Sequence, residues 1–220
     1  LFDVLQLHVR DARLDGPVGE GPLLVFGHGA GAGMGHPVLT AFTAAFAARG
    51  IATLRYQFPF MERRGGRGFG RDPRPLAVGT VAAAVAEARR HAAGQPLLAG
   101  GHSYGARMSA HAAAEGRLDG VAALVLLAFP LHGPKQPSTA RATPLADLRL
   151  PMLFVSGDRD AMAKPGLLED ALSAVAAARV VRIPGADHGW KAPKGTWPEG
   201  PFDAVGAAVA GFLAELEPAG

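Results

Sequence analysis

A serine hydroxyl attacks a carbonyl only when a base takes its proton and the backbone holds it exposed. Gly101-His102-Ser103-Tyr104-Gly105 offers that arrangement, between the apolar run Leu97-Leu98-Ala99 and an alanine-rich stretch that reads as helix. A strand turning sharply into a helix forces the central serine into strained angles. Gly101 and Gly105 permit the turn, because side chains there would collide with a neighbouring strand or helix. The new helix also aims its first free N–H groups at the reacting centre. His188, within Gly185-Ala186-Asp187-His188-Gly189-Trp190, supplies a candidate base. Gly157-Asp158-Arg159-Asp160 supplies two candidate acids to orient it. Asp187 adjoins His188, but neighbouring side chains normally diverge, which makes it a poor partner.

Strands and helices in alternation must carry these residues. Pro22–Gly27, Ile51–Tyr56, Leu97–Gly101, Val121–Ala128, Pro151–Ser156 and Arg179–Ile183 are apolar runs, as strands buried on both faces are. Helices are predicted after Pro37, from Leu76 to Ala93, after Gly105, from Pro165 to Ala177 and from Pro201. In the last, Phe202, Val205, Val209, Phe212, Leu213 and Leu216 fall on one side. Val4, Leu5, Leu7 and Val9 suggest an edge strand, and residues 11–21 read as a turn. This is an α/β pattern with a mostly parallel central sheet and helices on both faces, one domain over 1–220 and no insertion long enough for a cap domain. Ser103, Asp160 and His188 each follow a strand, where reacting groups gather in such sheets. Their chain order, Ser…Asp…His, is one of the orders in which this trio occurs on unrelated folds.

Composition narrows the possibilities further. With 49% apolar and 19% charged residues, the 220-residue chain is globular. It has no cysteine, which removes disulfides, thiolate metal sites and cysteine nucleophiles, and fits a reducing, cytoplasmic compartment. The longest apolar run, Val121–Leu131, is too short to cross a bilayer. Asp3, His8 and Arg10 interrupt the N-terminal residues, which do not read as a signal peptide. The net charge of +3 owes much to Arg63, Arg64, Arg67, Arg71 and Arg74 in one loop, too narrow a basic face to point to nucleic acid. No HExxH pair or carboxylate cluster suggests a metal, and no cofactor is expected.

The chain resembles the α/β-hydrolases, and among them the small, cap-less, dienelactone-hydrolase-like members. It is more closely similar to a subfamily of predicted hydrolases with an HGAG-type loop, a following His-Pro, and Arg-Tyr-x-Phe-Pro after the next strand. Here these are His28-Gly29-Ala30-Gly31, His36-Pro37 and Arg55-Tyr56-Gln57-Phe58-Pro59. The resemblance runs from about residue 20 to 216 and implies the following roles. Ser103 is the nucleophile, His188 its base, and Asp160 the group that orients His188. The family's Gly-x-x-Asp pattern, matched by Gly157–Asp160, favours Asp160 over Asp158. The N–H groups of Tyr104 and Ala30 bind the oxyanion. The expected activity is hydrolysis of a small ester or thioester, by a monomer or homodimer. Acyltransfer or peptide cleavage with the same machinery, or an idle interaction module on the same fold, are the alternatives.

Other residues keep more than one reading. Tyr56, Phe58 and Trp190, with Phe60 and Trp197, could line an acyl pocket or anchor core and loops. The glycine- and arginine-rich loop 61–75 could be a solvated surface segment, meet an anionic substrate, or act as an RNA-binding tract. His28 is expected to brace the glycine loop, and the side chain of His102 to point away from Ser103.

Overall fold

The computed structural model describes residues 11–198 and 200–216. Among these residues, seven strands form one sheet: β1 (Ala12–Asp15), β2 (Leu23–Gly27), β3 (Ala52–Tyr56), β4 (Leu97–His102), β5 (Val121–Leu127), β6 (Met152–Gly157) and β7 (Ala178–Ile183). Their spatial order is β1-β3-β2-β4-β5-β6-β7. Only β1 runs antiparallel, with Ala12 opposite Tyr56 and Asp15 opposite Thr53. This edge strand occupies part of the segment read as a turn; the strand expected within residues 1–10 lies outside the described residues. Ala12–Asp15 is too short and polar to show a strand period, so pairing with β3 decides its conformation.

Among the described residues, six α-helices flank the sheet: α1 (Pro37–Ala47), α2 (Pro59–Glu62), α3 (Arg74–His91), α4 (Tyr104–Ala114), α5 (Leu167–Leu172) and α6 (Phe202–Leu216). Alternation along β2 sends Leu24 and Phe26 to one face, against Leu39, Phe42 and Phe46 of α1 and Val205 and Val209 of α6. It sends Leu23 and Val25 to the other face, with Val78 and Val81 of α3, Met108 of α4 and Leu168 of α5. Both faces of β2 are therefore dry, which is why a central parallel strand reads as an unbroken apolar run. The chain leaves β2 toward β3 on one side and β4 toward β5 on the other. Strand order thus reverses between β2 and β4, and a crevice opens beyond their carboxyl ends. The loops carrying His28–Gly33 and Ser103 flank that crevice.

Candidate active site

Ser103 stands where β4 breaks into α4, at φ 52° and ψ −105°. A non-glycine residue rarely adopts such angles, and surrounding packing must hold it there. The packing is tight: a Cβ on Gly105 would lie 2.4 Å from the Gly27 carbonyl, and one on Gly101, at φ 156°, equally close to it. Backbone bonds from Ser103 N–H to Leu127 (2.8 Å) and from Gly105 N–H to His28 (3.0 Å) complete the clamp. The Ser103 hydroxyl does not cap its own helix. It donates instead to Nε2 of His188, 2.9 Å away.

On the other side of the ring, His188 Nδ1 lies 2.9 and 3.0 Å from the two carboxylate oxygens of Asp160. An ionised carboxylate only accepts, so Nδ1 carries the proton and Nε2 presents a lone pair to Ser103. The Asp160 side chain is fully buried and also accepts from Met162 N–H at 2.7 Å. The two other acids work on backbone. Asp158 accepts from Gly185 N–H (2.7 Å) and ties the β6 loop to the β7 loop. Asp187 accepts from the N–H groups of Gly189 (2.8 Å) and Lys191 (2.9 Å), shaping the turn that carries His188. Between Asp158 and Asp160, left open by spacing alone, Asp160 is the one brought to the imidazole.

Ala30 and Tyr104 both line the cleft above Ser103. His28 governs the peptide between Gly29 and Ala30. Its Nδ1–H donates to the Gly29 carbonyl at 2.7 Å, while its Nε2 accepts from Phe58 N–H at 3.0 Å. In a trans peptide C=O and N–H point opposite ways. Drawing the Gly29 carbonyl back onto His28 therefore turns the Ala30 N–H outward. Burial holds the His28 pKa down to about 4, consistent with a neutral ring using both nitrogens. The end of β3 and the residue after it grip the same loop. Arg55, its side chain buried, pairs with Asp15 (2.8 Å) and donates to the Met34 carbonyl (2.7 Å). Gln57 accepts from Met34 N–H at 2.9 Å. The two loop motifs are thus physically one unit.

The aromatic candidates lie elsewhere. Tyr56 and Phe58 are fully buried, and Trp190 is 3% exposed. None of the three faces the cleft. Phe58 packs edge-on against His28 and Tyr104, each at 5.0 Å, and Tyr56 packs against Phe58 at 5.1 Å. Trp190 backs the His188 turn and meets Phe42 at 5.1 Å. Of the two readings the sequence leaves open for them, the structure places all three in the core position, Tyr56 and Phe58 from the end of β3 and Trp190 from the loop after β7. His102 does not contact the Ser103 hydroxyl, yet it stays at the site. Its Nε2–H donates to the His188 carbonyl at 3.3 Å, and burial lowers its pKa to about 4.

The cleft has a volume of about 310 Å³. Its walls include Gly29–Ala32, His36, Phe69, Met162 and three arginines, Arg71, Arg107 and Arg141. Arg107 and Arg141 were not singled out by sequence. Arg107 is four residues beyond Ser103, so helical spacing could have revealed it; Arg141, in a proline-rich connection, gives no local signal. The arginine loop is anchored, through Gly70 N–H to the Ala30 carbonyl (3.0 Å) and through buried Asp72 to Arg63 (2.7 Å) and Phe60 N–H (3.0 Å).

Residues 20–201 match the family model described as an alpha/beta hydrolase domain. The chain belongs to that family. Among solved structures it is similar to Est1E of Butyrivibrio proteoclasticus with bound ferulic acid, at 19% identity and TM-score 0.71 over 94% of both chains. A dienelactone hydrolase from Anabaena variabilis matches at 22% identity and TM-score 0.69, over 93% of this chain and 90% of the other. A lidless α/β serine hydrolase from Xanthomonas campestris matches at 22% identity and TM-score 0.68, over 96% and 90%. At these identities the likeness establishes the shared fold, that of small dienelactone-hydrolase-like members. Family membership supports hydrolase activity. Among the described residues, no helix is long and apolar enough to cross a membrane.

Proposed function

We propose that the protein is a serine hydrolase that cleaves a small carboxylic ester or thioester through an acyl-enzyme. The observation that carries this reading is the continuous chain from Ser103 Oγ through His188 to Asp160, at 2.9 Å on each side of the imidazole. His188 Nε2 takes the Ser103 proton as Oγ adds to the carbonyl carbon. The resulting imidazolium is stabilised by the Asp160 carboxylate. The N–H groups of Tyr104 and Ala30 receive the oxyanion, and one such donor is typically worth about 3–4 kcal/mol in the transition state. The same proton passes to the departing alcohol or thiol as its bond to carbon breaks. Water then adds to the acyl carbon, gives a proton to His188, and releases the acid; that proton returns to Ser103.

Est1E carries ferulic acid, and the Anabaena protein is named a dienelactone hydrolase; both names are compatible with a small carboxylic substrate here. A fluorophosphonate probe tests the proposal. Labelling of the wild type but not of Ser103→Ala supports it, together with turnover of p-nitrophenyl acetate by the wild type. Folded wild type that takes no label and turns over no ester overturns it and favours an interaction module.

A further inference from the structure

Three arginines converge on the cleft, and the proton relay uses none of them. Arg107 stands one helical turn along α4 from Ser103, its backbone N–H bonded to the Ser103 carbonyl at 3.0 Å. Arg141 enters from the 3-10 segment Ala140–Leu145, steadied by a bond from its guanidinium to the Pro130 carbonyl (2.9 Å). Arg71 enters from the loop before α3, its guanidinium 5.4 Å from the centre of the Phe69 ring. All three side chains line the same cleft as Ser103.

Among the described residues, no ion pair balances them. Among the described residues, no carboxylate lines this cleft or lies within ion-pair distance of any of the three. Elsewhere Arg63 reaches Asp72 (2.7 Å) and Arg182 reaches Glu169 (2.6 Å). Nε of Arg107 is enclosed and has no hydrogen-bond partner. Burial, then the charges of Arg141 and Arg71, push the Arg107 pKa down; burial, then Arg71, does the same to Arg141. Like charges gathered around one partly enclosed cleft repel, and the repulsion is relieved when an anion joins them.

We propose that the ester recognised by this cleft is anionic, carrying a carboxylate or phosphate group that Arg107 and Arg141 hold while Arg71 closes over it from the loop. The inference rests on the hydrolase reading and names its substrate class. Guanidinium forks match both kinds of oxyanion in two-point fashion. Arg107, Arg141 and Ser103 line one small cleft, so the charged group stands only a few bonds from the scissile carbonyl. A monoester of a short dicarboxylic acid, or a short phosphorylated ester, meets both conditions.

The test compares mono-p-nitrophenyl succinate with its neutral methyl ester, using succinate and inorganic phosphate as competing anions. The expected result is a kcat/KM about tenfold or more higher for the anionic ester, the advantage of a charge-assisted pair. Arg107→Gln and Arg141→Gln should each shrink that ratio about tenfold, and Arg107→Lys should restore part of it. Competitive inhibition by succinate or by phosphate tells which anion fits better. A wild-type ratio of one or less, or a ratio unchanged in both glutamine variants, overturns the proposal. If neither ester is turned over and Ser103 takes no fluorophosphonate, the hydrolase reading fails separately. Anion binding is then read from the melting temperature: a rise with succinate or phosphate that both glutamine variants lose supports the site, and no rise overturns it.

Discussion

Asp158, Asp160 and Asp187 lie within one neighbourhood and do three different things. Only Asp160 reaches the imidazole, while the others hold backbone amides. Asp160→Asn should lower kcat for p-nitrophenyl acetate by about ten-thousand-fold, because the imidazole loses both its orientation and its counter-charge. Asp158→Asn should change kcat only a few-fold, and steady-state assays of the two variants side by side check this. Two other residues bear on pH. His28 and His102 are buried with pKa values near 4, against 6.5 for the free side chain. Between those values the unfolded chain binds protons that the folded chain does not. Their contribution is complete above about pH 6.5 and is lost as pH falls toward 4, about 3 kcal/mol for each. Melting temperature should therefore drop steeply over that window, and His102→Gln should flatten the slope. At this scale the sequence was half legible. The elbow and the His188 segment carry their own spacing, but Asp158 and Asp160 sit two residues apart in one turn, and only tertiary placement separates them. Tyr56, Phe58 and Trp190 look like ligand-binding residues because aromatic type says nothing about which way a side chain faces.

The elements earn their places through close approach. Gly105 lets α4 touch β2, and a Cβ there would meet the Gly27 backbone, which cannot move without moving the sheet. Gly105→Ala should destabilise the fold by about 3 kcal/mol, as overpacking between rigid elements does. Gly211, on the exposed side of α6, has nothing within 4 Å of an added Cβ. Gly211→Ala should stabilise by about 0.5–1 kcal/mol through the unfolded chain's lost freedom. Urea unfolding of both variants measures the pair. The central parallel strands were readable because apolar residues fill them almost throughout, and α6 because its apolar residues recur at helical spacing. β1 was not, since four half-exposed residues hold no pattern without β3 beside them. The predicted helix at 165–177 shortens to Leu167–Leu172, with Gly166 at φ 81° and Glu169 bonded to its N–H fixing the start.

Across the whole molecule, strand order places Ser103 and the His28–Gly33 loop at the reversal between β2 and β4, with a small cleft above them. A volume of about 310 Å³ lies at the lower end for ligand sites, so kcat/KM should fall from butyryl to decanoyl esters in a graded p-nitrophenyl series. The arginines at its mouth should also make kcat/KM for mono-p-nitrophenyl succinate fall with added salt, while the neutral methyl ester responds little. Both trends presuppose that Oγ of Ser103 is the atom acylated. Mass spectrometry of the wild type, quenched early in its reaction with p-nitrophenyl acetate and digested, tests this most directly. An acetyl group on the peptide containing Ser103, matching the burst of p-nitrophenol and absent from Ser103→Ala, is the predicted result. Acetyl on another residue, or undiminished turnover by Ser103→Ala, would contradict the account.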